Sequence, residues 1–165
     1  MTYRITKYNP RNRDEAGRYF VDEWISVSDV GKAFDGRQLT IDTYLLVEDA
    51  YVAVVKSALT IAGRGPLRVV DFEDHDNCRH LPDDLVATSE EYRNQFWEGC
   101  LVSQENVESC VRLTLREVIW CKLIGKNGFF VHFGYDYYMY IGGIDLNGWD
   151  APPQMFCELC NSPYA

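Results

Sequence analysis

The chain has 165 residues, 47% of them apolar and 25% charged, with 25 acids against 16 bases and a net charge of −9. That length buries about two-thirds of the unfolded surface without disulfides or metals, and the balance is that of a globule rather than a disordered or fibrous chain. No apolar run approaches the roughly 20 residues that span a bilayer, and the acidic excess disfavours nucleic acid as a partner.

Residues 3–8 alternate as a first strand, closed by Asn9-Pro10. No apolar signal segment stands at the N-terminus, which implies a cytoplasmic protein whose six cysteines (78, 100, 110, 121, 157, 160) stay reduced, several of them as small core residues. Residues 24–30 alternate again and stop at Gly31, as a short strand would. Thr40 offers an N-cap with Asp42 in the first turn. From there Tyr44, Val47, Tyr51, Val55, Ala58 and Ala62 form a helical stripe flanked by Leu45, Val52 and Leu59, and Gly63 ends it. The spacing predicts a helix over 40–62.

Pro66 opens the next segment, and residues 67–72 read as a strand. Residues 74–88 lack periodicity and contain Pro82, so they read as loop, with a short helix over 89–97. Residues 110–118 fit two patterns. Val111, Leu113 and Leu115 alternate as in a strand, whereas Val107, Val111, Leu115 and Val118 keep helical spacing. The strand reading, bulged near Arg116-Glu117, leads into a β meander over 118–124, 129–133 and 135–141. Asn127-Gly128 is a hairpin signal, and residues 129–141 hold seven aromatic rings. In that meander Phe129, Val131 and Phe133 share one face, Phe130 and His132 the other, while Tyr137, Met139 and Ile141 alternate with Asp136, Tyr138 and Tyr140. Residues 155–160 return as an edge strand. The expected fold is a single α+β domain over 1–165: one long helix packed on a mostly antiparallel, twisted β-sheet.

Signatures of chemistry are weak. His75, Cys78 and His80 lie close in sequence, and Cys157 and Cys160 form a CxxC, but this is not the paired spacing of a zinc ribbon. That CxxC precedes Pro163 rather than opening a helix, unlike a redox pair. There is no Gly-x-Ser-x-Gly elbow, and Gly63-Arg64-Gly65-Pro66 lacks the Lys and hydroxyl of a phosphate loop. No metal, no cofactor and no catalytic residue is expected. Charge, by contrast, is concentrated: residues 71–91 carry eight acids against Arg79 alone, and residues 1–18 carry five bases against two acids. An acidic island steers a basic protein partner, and tyrosines supply contact area with few rotors to freeze. The expected partner-binding residues are Glu73, Asp74, Asp76, Asp83, Asp84, Tyr138 and Tyr140.

Four blocks carry a resemblance: residues 3–10, 23–32 and 44–51, and the aromatic strand pair 130–142. Together they resemble immunity proteins of bacterial contact-dependent growth inhibition and related polymorphic toxin systems, across most of the chain apart from 74–106. The resemblance implies a cytoplasmic inhibitor that binds one toxin's C-terminal domain and blocks its active site or its access to a partner. Many such toxins are nucleases with basic surfaces, which an acidic inhibitor complements. It transfers no toxin-binding residue. Two alternatives remain open: a small hydrolase or RNA-processing enzyme using His75, His80 or His132 with nearby carboxylates, and a structural subunit that dimerises through a sheet edge. Oligomeric state is open as well.

Overall fold

A computed structural model describes residues 1–75 and 77–160. Its frame is a seven-stranded antiparallel sheet. In spatial order the strands are β5 (Leu101–Val102), β4 (Leu67–Asp74), β6 (Ile119–Ile124), β7 (Phe130–Phe133), β8 (Tyr138–Gly142), β1 (Thr2–Thr6) and β9 (Phe156–Cys160). A small hairpin joins β2 (Ala33–Phe34) to β3 (Arg37–Gln38). The α+β architecture and the antiparallel sheet therefore match the sequence reading, including β9 as an edge strand.

Register explains which side chains meet. Val69, Leu123, Val131, Ile141 and Tyr3 lie opposite one another across five strands, and all are buried. The next row, Val70, Lys122, His132, Tyr140, Arg4 and Glu158, projects from the other face. Successive residues of a strand alternate between faces, so the meander's two faces separate as the sequence implied. Phe130 lies over Gly142 on the second face, where a Cβ would run into its ring.

The long helix is α1 (Ile41–Ile61). Thr40 Oγ1 accepts from the Thr43 N–H at 3.2 Å, as an N-cap should. At the other end Gly63 has φ +91°, and the N–H groups of Gly63 and Arg64 return to the carbonyls of Thr60 and Leu59. That pair of reversed bonds is a Schellman cap, which needs the left-handed residue that glycine supplies. Tyr44, Val47, Tyr51, Val52, Val55, Ala58 and Leu59 are buried along it.

Two further helices accompany it, where the sequence reading has one long helix and a short one over 89–97. α2 (Asp83–Arg93) overlaps the expected short helix over 89–97 but begins earlier, in what reads as loop, and α3 (Val107–Leu115) replaces the expected strand. In α2 only Leu85 and Ser89 are fully buried, so its stripe is too polar to show as hydrophobic periodicity. In α3 Val107, Cys110, Val111, Leu113, Thr114 and Leu115 are all buried. Neighbours on several sides bury residues 111, 113 and 115 together, and this produces the strand-like alternation. Instead of a bulge, Arg116-Glu117 forms the end of α3: Glu117 has φ +58°, and the N–H groups of Glu117 and Val118 return to Thr114 and Leu113. Residues 24–30 form no strand either. Ser26 and Asp29 make a capping box around a 3₁₀ turn, Val27–Asp29, anchored by buried Trp24 and Val27.

No helix among the described residues is long and apolar enough to cross a membrane.

Candidate functional site

One end of the sheet opens into a cleft of about 580 Å³. Three connections build it: the β7–β8 turn, the segment after β4, and the turn between α3 and β6. The β7–β8 turn is the most constrained. Asp136 (φ +55°) and Tyr137 (φ +61°) are both left-handed, and the Tyr138 N–H reaches the Tyr135 carbonyl at 3.1 Å. Two positive φ angles at the centre of a tight turn suit the twist of the flanking strands, but a tyrosine there is an outlier costing on the order of 1 kcal/mol.

Packing of Tyr137 holds the turn. Its ring is buried against Trp24 (5.0 Å between centroids, edge-on) and Tyr51 (5.8 Å). Its hydroxyl donates to the Leu115 carbonyl at 3.0 Å, and its own carbonyl accepts from the Tyr51 hydroxyl. Burial pushes the Tyr44, Tyr51 and Tyr137 phenols well above their ordinary pKa, so these hydroxyls stay protonated donors. The result displays Tyr135, 90% exposed, and Asp136 at the mouth of the cleft.

The histidines follow from the end of α3. His75 Nδ1 lies 2.9 Å from the Glu117 carbonyl, and His80 Nε2 lies 2.7 Å from the Arg116 carbonyl. Terminal helix carbonyls lack intrahelical partners and carry partial negative charge, so imidazole donors suit them. His75 Nε2 also stands 3.4 Å from Glu73. Both histidines line the cleft beside Asn77, Glu117 and Asp136. His132 does not. It is buried on the helix-free face, edge-on to Trp120 (5.7 Å) and Tyr140 (6.0 Å), and burial followed by the nearby Lys122 charge lowers its pKa. The three histidines of the enzyme alternative thus divide two to one.

Of the expected partner-binding residues that the structure describes, only Tyr138 lines the cleft. Glu73 is exposed at the end of β4 and reaches the rim through His75. Asp74 is bound in a fork by Arg93, at 2.9 and 3.0 Å, which offsets its charge. Asp83 and Asp84 are exposed in the first turn of α2, three and four residues beyond His80. Asp76 lies outside the described residues. Tyr138 lines the cleft and stacks on Tyr8 at 5.4 Å, with the Arg4 and Arg13 guanidinium groups each 6.0 Å from its ring. Tyr140 lies further along the helix-free face, opposite Arg4 and His132, and lines no part of the cleft. Glu117, Asp136, Tyr135 and Trp120 are not among the contact residues that the sequence suggests. They meet only because α3 ends where the β7–β8 turn projects. The one sequence signal was a carboxylate breaking the aromatic run at 136.

The CxxC is split by its strand. Cys157 pairs opposite Ile5 and Cys160 opposite Thr2, so the two side chains leave β9 on opposite faces. Among the described residues no group of three or more His, Cys, Asp or Glu is placed to hold a metal ion.

Comparison of the chain with protein-family models, with curated proteins and with solved structures finds no match.

Proposed function

We propose that the chain is an inhibitor of the immunity type, which binds the C-terminal domain of one basic toxin with the acidic, aromatic end of its sheet. One observation carries this reading. Among the described residues the cleft is lined by Glu117 and Asp136 and by no lysine or arginine, exposed Glu73 reaches its lining residue His75, and exposed Asp83 and Asp84 follow its lining residue His80 in sequence. The single base of the acidic island, Arg79, stays outside the lining. Exposed charges of one sign accelerate encounter with an oppositely charged protein, and half-buried rings beside them supply the short-range contact. The resemblance of four sequence blocks to immunity proteins points the same way.

The test uses the domain encoded immediately upstream of this chain's gene, since immunity genes follow their toxin genes. The expected result is a tight 1:1 complex and protection of growth when the two are expressed together. A Glu73→Gln, Asp83→Asn, Asp84→Asn variant is expected to associate about tenfold more slowly at low salt, with a shallower salt dependence. Absence of any complex refutes the proposal, and an unchanged association rate removes the island from it.

A second reading is a small hydrolase or RNA-processing enzyme. Its support is that His75 and His80 share the cleft with two carboxylates. It is the weaker reading because both rings already cap the carbonyl end of α3, a role that accounts for them without a substrate.

A further inference from the structure

We infer that the cleft receives a guanidinium side chain presented by the partner protein, so that one arginine of the partner anchors the complex. This rests on the inhibitor reading and names the chemistry of its contact. The cleft's walls are aromatic and apolar: Trp120, Phe133, Tyr135, Tyr138 and Met139 contribute to them. Its carboxylates are Glu117 and Asp136, both exposed, and its two imidazoles, His75 and His80, are each turned to a carbonyl at the end of α3. Rings with carboxylates, and no lysine or arginine among the described lining residues, select a positive group that also has a flat, weakly hydrated face. Guanidinium meets that description better than ammonium: its plane stacks on a ring while its edge forks to a carboxylate.

The rings at this end already attract such groups within the chain. Arg4 and Arg13 each stand 6.0 Å from the Tyr138 ring, and the Lys122 ammonium stands 5.9 Å from Trp120. These cations are held from the cleft by their own acids. Glu158 binds Arg4 at 2.9 Å and Arg13 at 2.8 Å, and Asp71 binds Lys122 at 2.7 Å. Glu117 and Asp136 have no such internal cation among the ion pairs of the described residues. A volume of about 580 Å³ exceeds one arginine side chain and leaves room for the loop that carries it.

The experiment is a nitrogen-15 NMR titration of the full chain with an acetylated, amidated Gly-Arg-Gly peptide and with its citrulline counterpart, which keeps the shape and loses the charge. Saturable shifts are expected at the amides of Trp120, Tyr135, Asp136 and Tyr138, with about tenfold weaker binding of the citrulline peptide. The Glu117→Gln, Asp136→Asn variant is expected to lose a similar factor. Both changes keep size and shape, and asparagine tolerates the left-handed conformation at 136. Equal binding of the two peptides, shifts confined to other surfaces, or no saturable shift overturns the inference. The two readings fail separately. If the upstream domain does not bind while the arginine peptide does, the inhibitor reading falls and the cleft chemistry stands. If the domain binds the double variant as tightly as the native chain, the cleft assignment falls and the inhibitor reading stands.

Discussion

Glu48 is the side chain whose removal from balance should hurt this fold most. It is fully buried in the middle of α1. Arg116 donates to it from Nε at 2.7 Å and from Nη2 at 2.8 Å, Arg112 from Nη1 at 2.6 Å, and the Tyr44 hydroxyl at 3.1 Å. Arg116 also donates from Nη1 to Thr88 and Ser89, so the same group ties α2 to the end of α3. Arg116→Met keeps the bulk, strands a buried carboxylate and leaves Ser89 without this donor. Breaking a buried pair costs about 3–5 kcal/mol. Arg112 and Tyr44 remain on Glu48, so the lower end, about 3 kcal/mol, is expected. Arg112→Met leaves the Arg116 fork intact and should cost about 1–2 kcal/mol, the range for a charge-assisted hydrogen bond. The Glu48→Leu, Arg116→Met double variant buries no stranded charge and should recover most of the loss, a coupling of about 2 kcal/mol. Urea unfolding at pH 7, with the denaturant slope checked for constancy, measures the native chain, these variants and the Glu48→Leu single variant that closes the cycle. A loss below about 1 kcal/mol for Arg116→Met, or additive single variants, refutes the argument.

Val55, fully buried on α1, should not tolerate charge: Val55→Asp is expected to destabilise by several kcal/mol, about 3 or more, in the same urea assay. A loss below about 0.5 kcal/mol would mean that the stripe does not face the core. Lys7 should give a pH signature. Burial, only partly offset by Glu23 at 2.9 Å, lowers its pKa from 10.5 to about 8. Between about 8 and 10.5 the unfolded chain therefore binds the extra proton, so native stability rises with pH there relative to Lys7→Met and is flat below it. The full change is on the order of 3 kcal/mol, and a stability difference independent of pH across that window refutes it.

The sequence by itself determined the elements whose physics is local. α1 was legible because its apolar stripe, Thr40 cap and Gly63 stop agree, and each acts within a turn or two of the residue concerned. The meander was legible because alternation and the Asn127-Gly128 pair, both at positive φ, fix strand faces and the first reversal locally, whereas the second reversal takes residues 135–137 out of the expected strand 135–141 and β8 begins at Tyr138. Where a helix takes its burial from distant partners, the pattern misled. The first half of α2 reads as loop because its buried face is partly polar, and Ser89 is buried there to meet Arg116, 27 residues away. α3 reads as strand because neighbours from several elements bury it on more than one side. Glu48 shows the same limit. Its neighbours on the stripe are apolar, and nothing near it in sequence reveals that two arginines, 64 and 68 residues on, neutralise it. The acidic island was legible as composition, but only the tertiary structure decided which acids act together. It spends Asp74 on Arg93 and Asp71 on Lys122, and brings Glu117 and Asp136, both outside the island, to one cleft. Charge falls off with distance through space rather than along the chain, so its effect is set by contacts that the order of residues does not contain.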